Sequence, residues 1–87
     1  MQELTLFYLP DCPHCKRALR LLDELAAENP AYQAVRITRV DERAQKALAD
    51  TYDYWYVPCF FAGRKKLFEG HMEKADVRAV LDAAVNG

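Results

Sequence analysis

Apolar and polar positions alternate along the chain in a way that separates strand-like from helix-like segments. Residues 4–9 are apolar at almost every position, which predicts a central strand covered on both faces. The Pro-Asp pair at 10–11 ends it. Residues 12–28 have apolar side chains every three or four positions, which predicts an amphipathic helix that ends at Asn-Pro 29–30. Its expected inner face consists of Cys15, Ala18, Leu19, Leu22, Leu25 and Ala26.

The second half of the chain continues with shorter segments. Residues 34–40 alternate and predict a second strand, after which Asp41 is a plausible N-cap for a helix running to about Thr51. The segments 59–62 and 66–69 flank a turn and predict an antiparallel hairpin. The inner face of the helix after Asp41 would hold Ala44, Ala47 and Leu48, and a last helix over 73–85 would bury Val77, Val80, Leu81 and Ala84.

This order of segments, β-α-β-α-β-β-α, defines the expected fold. A strand, a crossover helix and a second strand form a parallel pair, and the hairpin adds antiparallel strands. We therefore predict an α/β fold with a four-stranded mixed sheet flanked by helices. With 87 residues, one domain spanning 1–87 is expected.

Composition and charge narrow the classes of partner. The chain has 12 basic and 13 acidic residues, a balance that gives no reason to expect nucleic acid or an anionic membrane as partner. No segment approaches the ~20 apolar residues of a membrane span. The first residues lack the basic stretch of a signal peptide. We expect a monomeric cytoplasmic protein.

The cysteines carry the candidate chemistry. Three are too few for a disulfide-stapled scaffold, but Cys12 and Cys15 lie three positions apart where the first strand passes into a helix. At the helix start, free N–H groups and the helix dipole favour the thiolate of Cys12, which is the nucleophilic form. Cys15, one turn later on the apolar face, is expected to be the shielded thiol that resolves a mixed disulfide.

Residues around the pair are expected to tune it. Pro13 fits the first helical position, where a missing N–H costs little. A cationic His14 would stabilise the Cys12 thiolate and make the disulfide more oxidising, whereas Asp11 would act in the opposite direction. Because several N–H groups act on the sulfur and Asp11 can turn to solvent, we expect a net gain of thiolate.

Two simpler explanations of the cysteine pair compete with redox chemistry. A structural zinc site would need four ligands, and Cys59, His14 and His71 are the remaining choices. A passive pair of core cysteines is the other alternative. The strand–CxxC–helix context favours redox chemistry over both.

The motif "CPHC" at 12–15, together with "YVP" at 56–58 before a hairpin, resembles the thioredoxin-fold superfamily over essentially the whole chain. Only three residues precede the first strand, which is similar to the short, glutaredoxin-like form. The resemblance implies a thiol-disulfide oxidoreductase in which Pro58 is cis and the Val57 backbone pairs with a bound peptide or glutathione. No tightly bound cofactor and no metal are implied.

The resemblance also implies partners: disulfide-containing proteins or glutathione as substrate, and glutathione or a reductase as electron donor. Glutathione use stays open, because "EGHMEKAD" at 69–76 has one glycine where glutaredoxins often have two, and Asp11 stands where they tend to have a basic residue. Two alternatives also stay open, namely an iron–sulfur or metal carrier that uses Cys12 with glutathione, and a non-catalytic interaction module.

Four features outside the motif remain to be interpreted, and three of them have two alternative explanations. Cys59 would be either a third exchanging thiol or a small buried residue. The aromatic segment "YDYWY" at 52–56 predicts a partner-binding rim or crowded core packing. The basic run at 64–66 is either a solvated hairpin tip or a docking site for an acidic partner. His71 is expected to be an ordinary surface residue.

Overall fold

The computed structural model describes residues 1–87 and contains four strands and four helices. The chain forms β1 (Leu4–Tyr8), α1 (Pro13–Glu28), α2 (Pro30–Gln33), β2 (Ile37–Asp41), α3 (Lys46–Ala49), β3 (Cys59–Ala62), β4 (Lys65–Glu69) and α4 (Lys74–Asn86). The strands form one sheet in the order β2-β1-β3-β4. β1 is parallel to β2 and antiparallel to β3, which pairs with β4 as a hairpin. The predicted α/β fold with a four-stranded mixed sheet is confirmed.

Alternation along the two central strands creates a core on each face of the sheet. Leu4 and Leu6 of β1, with Phe60 of β3, point toward α1 and α4 and form the larger core. Each such buried side chain contributes about 1.5–3 kcal/mol relative to an exposed one. On the opposite face of the sheet, Phe7, Cys59 and Phe61 of the same strands form a smaller core with Val40 of β2 and Ala49 of α3. The sheet is therefore covered on both sides, as the apolar run in β1 predicts.

The helix predicted after Asp41 is wrong in length and in its inner face. Asp41 ends β2, and its Oδ1 accepts hydrogen bonds from the N–H groups of Arg43 (2.9 Å) and Ala44 (3.1 Å). Asp41 thus makes the hydrogen bonds of an N-cap, and its C=O accepts from Gln45 N–H (2.9 Å), but Gln45 has non-helical backbone angles (φ −119°, ψ 52°) that interrupt the helix there. Only one helical turn follows, in α3, and its buried residue is Ala49. The three residues expected to be buried, Ala44, Ala47 and Leu48, are exposed.

Smaller differences occur around α1 and β2. After α1, Asn29 Oδ1 accepts a hydrogen bond from Ala31 N–H (3.0 Å) and starts the extra one-turn helix α2. β2 begins at Ile37 rather than at residue 34. In α1, Leu21 is fully covered by the larger core, whereas Leu19 and Ala26 are half-buried. None of the helices is long and apolar enough to cross a bilayer.

Candidate active site

The two motif cysteines lie at the junction of β1 and α1 and differ in exposure. Cys12 is the N-cap of α1, with extended backbone angles, and its C=O accepts the first helical hydrogen bond, from Lys16 N–H (3.0 Å). Pro13 occupies the first helical position, as predicted. Cys12 is partly exposed and Cys15 is completely buried. The structure thus provides one thiol that a substrate can reach and one that is shielded.

The burial of Cys15 changes its chemistry. Its Sγ accepts a hydrogen bond from Leu9 N–H (3.4 Å), which joins the helix to the end of β1. Burial raises the pKa of the Cys15 thiol to about 12; the hydrogen bond from Leu9 N–H acts in the opposite direction, and a hydrogen bond with the Cys12 side chain adds a further, lesser increase. The reduced protein therefore keeps the proton on Cys15 at neutral pH.

Val57 and Pro58 lie at the same end of the sheet as the cysteines. The antiparallel pairing of Phe7 with Cys59 places the residues before β3 beside the end of β1, from which the chain enters the motif. The Val57–Pro58 peptide is cis, as the family resemblance implied. Pro58 is buried and its C=O accepts from Gly70 N–H (2.8 Å). The N–H and C=O of Val57 make no hydrogen bond within the chain.

The aromatic segment at 52–56 combines core packing with an exposed rim. The rings of Tyr52 and Tyr54 pack on Phe7, with centroids 4.7 Å and 4.9 Å from its ring. In contrast, the side chains of Trp55 and Tyr56 are 84% and 70% exposed. Core packing is confirmed for the first half of the segment, and a partner-binding role for the exposed half stays a prediction. Trp55 and Tyr56, hereafter the aromatic rim, immediately precede the Val57–Pro58 peptide.

A carboxylate from β4 holds the aromatic rim in place. Glu69 Oε2 accepts hydrogen bonds from the backbone N–H groups of Trp55 and Tyr56, the second at 2.8 Å, while Oε1 accepts from Lys66 Nζ (2.9 Å). The hydrogen bond from Lys66 lowers the pKa of the Glu69 carboxyl, and the Trp55 N–H acts in the same direction. Sequence analysis missed Glu69, because no local pattern links it to a loop 13 residues earlier.

A groove of about 510 Å³ runs along the rim. Leu9, which follows β1, and Trp55 of the aromatic rim both line it. Its charged side chains are largely paired, as in the contact of Lys46 with Asp50 (2.7 Å). The remaining lining residues are Glu42, Arg43, Ala49, Tyr52 and Tyr54.

A histidine pair joins the motif to the loop before α4. His14 Nδ1 lies 3.0 Å from His71 Nδ1, although 57 positions separate the two residues. His71 Nε2 is 3.4 Å from Glu73 Oε2, which also accepts from Arg17 Nη2 (2.8 Å). Arg17 Nε in turn donates to the C=O of Met72 (3.2 Å). His71 is on the surface, as expected, but nothing in the sequence indicated its contact with the motif.

The remaining sequence features are structural. Cys59 is completely buried in the smaller core, and burial raises the pKa of its thiol to about 12. The Arg64 guanidinium lies over the ring of Tyr52, 4.2 Å from its centroid, so Arg64 is not simply a solvated tip. No group of three or more His, Cys, Asp or Glu side chains is arranged to hold a metal ion.

Comparisons with known proteins agree with this geometry. The sequence profile of the glutaredoxin family matches residues 4–68. Protein disulfide isomerase-like 1-1 of Arabidopsis thaliana is 30% identical over 80 residues, which is 87% of this chain but only 16% of that protein. A thioredoxin of Methanocaldococcus jannaschii is 41% identical over 46 residues, 53% of this chain and 54% of that one. The chain thus spans a small part of the isomerase and about half of that thioredoxin.

A solved structure supports the fold. A point-mutant thioredoxin of Halobacterium salinarum superposes with a TM-score of 0.68 at 21% identity, over 94% of this chain and 73% of that one. At this identity the superposition shows the shared architecture. Taken with the profile match, which spans the motif, the Val57–Pro58 peptide and most of the sheet, it shows that the chain belongs to the glutaredoxin family and has the thioredoxin fold.

Proposed function

We propose that the protein is a dithiol–disulfide oxidoreductase that reduces disulfides in proteins or mixed disulfides with glutathione. The observation that carries the proposal is the asymmetry of the two thiols. Cys12 is reachable at the start of α1, and Cys15 is buried one turn behind it with a raised pKa. A protonated Cys15 does not compete with Cys12 for the first attack, so each thiol has a separate step.

The reaction consists of two thiol–disulfide exchanges. The Cys12 thiolate attacks one sulfur of a substrate R–S–S–R′; the substrate S–S bond breaks, a Cys12–S–S–R bond forms, and R′–S⁻ leaves and takes up a proton. Cys15 then loses its proton and attacks the Cys12 sulfur, which forms the Cys12–Cys15 disulfide and releases R–SH after proton uptake. Two electrons have passed from the dithiol to the substrate. Glutathione or a reductase would return them.

The surroundings of the motif support protein disulfides as substrates. The free N–H and C=O groups of Val57 are suited to pairing with an extended backbone, and this pairing would serve a protein segment or glutathione equally well. The aromatic rim beside them adds apolar area that a tripeptide covers less completely than a protein segment does. We therefore favour a protein substrate, with glutathione as co-substrate or electron donor.

A trapping experiment tests the proposal. Cys15→Ser should retain the first exchange but not the second, so substrate should remain covalently attached to Cys12, and mass spectrometry would identify it as glutathione or a protein. Cys12→Ser, the matched control, should trap nothing and reduce insulin and a glutathione mixed disulfide at background rate. Full activity in Cys12→Ser would contradict the mechanism. A wild-type protein inactive on both substrates would instead favour the non-catalytic interaction module.

A further inference from the structure

The groove beside the aromatic rim adjoins the cysteine motif. Leu9 lines the groove, and its backbone N–H donates to Cys15 Sγ at 3.4 Å. Trp55 also lines it and stands two residues before Val57, whose N–H and C=O make no hydrogen bond within the chain. A protein segment that pairs with the Val57 backbone and brings its cysteine to the motif therefore has neighbouring side chains within reach of the groove.

The charged side chains that line the groove compensate one another. Two are acidic and two are basic, so the lining has no net charge. Lys46 Nζ lies 2.7 Å from Asp50 Oδ2, and Glu42 Oε1 accepts a hydrogen bond from a tyrosine hydroxyl of the groove (2.6 Å). The fourth, Arg43, lies 3.8 Å from Asp11 of the motif loop. A charged side chain of a partner would lose hydration here and gain little, because each charge already has a partner.

The apolar part of the groove is largely aromatic and is held in place by the rest of the fold. Tyr52 and Tyr54 pack on Phe7, and the backbone N–H of Trp55 donates to Glu69. The Trp55 side chain nevertheless stays 84% exposed. Because the segment is already ordered, covering this ring costs little further conformational entropy. A ring of a partner gains most from doing so, since aromatic pairs attract each other beyond the burial of area.

We propose that the groove binds an aromatic or large apolar side chain of the substrate protein, and that Trp55 is the residue that selects it. The segment at Val57 carries the reactive cysteine, and an extended chain advances about 3.3 Å per residue. Since Trp55 is two residues from Val57, the selected side chain stands about two residues from that cysteine. This inference rests on the proposed function, because it names the class of disulfide that the same thiols reduce.

Tyr56 provides a matched control, because it resembles Trp55 except for its place relative to the groove. Its side chain is 70% exposed, and its backbone N–H donates to the same Glu69 carboxylate, at 2.8 Å. It does not line the groove. If exposed aromatic area alone attracted substrates, Trp55→Ala and Tyr56→Ala would act alike. Selection by the groove requires that Trp55→Ala acts and Tyr56→Ala does not.

Oxidation of the reduced protein by symmetric peptide disulfides tests this selection. Each capped peptide has one cysteine among glycines, with Phe, Leu, Ala or Lys two residues before or two residues after it. Each rate constant is divided by that of dithiothreitol with the same peptide, which removes differences in the reactivity of the disulfide itself. In one of the two places, Phe and Leu should raise the wild-type ratio about two- to tenfold over Ala, the range of one such contact, while Lys should stay near Ala. Trp55→Ala should remove the preference and Tyr56→Ala should keep it.

A binding measurement separates this inference from the proposed function. In a protein carrying Cys12→Ser and Cys15→Ser, the indole N–H resonance of Trp55, the single tryptophan, is followed while the same peptides with Ser in place of cysteine are added. The Phe peptide should shift it more than the Ala peptide does. Equal shifts, equal rate ratios, or a preference that survives Trp55→Ala would overturn the inference and leave the reductase reaction standing. A selective shift without reduction of any peptide would support the groove and contradict the proposed function.

Discussion

At the scale of single residues, burial separates the three cysteines. Cys12 is partly exposed at the start of α1, whereas Cys15 and Cys59 are completely buried, and burial raises the pKa of each buried thiol to about 12. Of the two buried thiols, only Cys15 has another thiol, that of Cys12, as neighbour; Cys59 lies among apolar side chains of the smaller core. We therefore expect Cys59 to behave as a small apolar residue with no part in the proposed exchange reaction.

Two substitutions of Cys59 test this assignment. Cys59→Ala removes one buried atom and should lower the free energy of unfolding by about 1 kcal/mol, with unchanged reductase activity. Cys59→Ser keeps the size but buries a hydroxyl among apolar side chains, which should cost about 1–3 kcal/mol. Urea unfolding of the reduced proteins gives both values. A loss of activity in Cys59→Ala without a loss of stability would instead indicate a third redox thiol.

At the scale of elements, β4 supports the substrate side of the site through Glu69. Its carboxylate accepts the backbone N–H groups of the aromatic rim and is paired with Lys66 on the same strand. The rim would otherwise be a loop with exposed side chains and few contacts of its own. The edge strand of the hairpin thus positions the segment that leads into the Val57–Pro58 peptide.

The support from Glu69 should depend on pH. Because its pKa is lowered in the folded state, its contribution is present above the ordinary value of 4.5 and is lost as pH falls through the lowered pKa. Trp55, the single tryptophan, reports on the rim. Its fluorescence anisotropy in the native protein should fall on acidification below pH 4.5, and Glu69→Gln should abolish most of that change.

The control for this prediction is Glu73→Gln, which removes a carboxylate at the other side of the site and should leave the Trp55 response as in wild type. Far-UV circular dichroism at each pH would show that the sheet is intact. An acid response of Trp55 that is the same in Glu69→Gln and in wild type would contradict the role of Glu69.

At the scale of the whole molecule, a small domain relies on cores on both faces of one sheet. The larger core lies under α1 and α4 and the smaller under α3 and the aromatic segment. An 87-residue domain has little stability to spare, so the protonation of its two buried thiols affects the whole fold. Because the thiol pKa values are higher in the folded state than in the unfolded state, they contribute stability in full below the pKa of the unfolded state. This contribution decreases as pH rises toward the pKa of the folded state.

The reduced protein should therefore lose stability in alkali. Since folding raises the thiol pKa values, the stabilisation is complete below the ordinary value of 9.0 and is lost progressively as pH rises toward about 12. Urea midpoints between pH 8 and 11 should fall more steeply for the reduced wild type than for Cys59→Ala, and also more steeply than for the oxidised protein. Equal slopes for all three would show that the buried thiols do not govern this loss.

Prediction from the sequence succeeded where a segment carries its own periodicity or motif. Apolar spacing predicted β1, α1, the hairpin and α4. Helix geometry predicted that Cys15 is more buried than Cys12. It failed at the helix after Asp41, where the expected cap bonds form but the non-helical backbone of Gln45 leaves only a turn before α3. Leu21, three positions after Ala18 and four before Leu25, is buried in the larger core although it was left out of the predicted inner face of α1.

Local properties of the chain, namely the hydrophobic period, the helix start and the cysteine spacing, were enough to predict the strand–motif–helix unit that holds Cys12 and Cys15. The surroundings of that unit depend on the packed fold. The contacts of His14 with His71 and of Glu69 with the aromatic rim join residues far apart in the chain. Such hydrogen bonds depend on how loops meet at one end of the sheet. The packing of the whole chain determines that arrangement, and local sequence patterns do not.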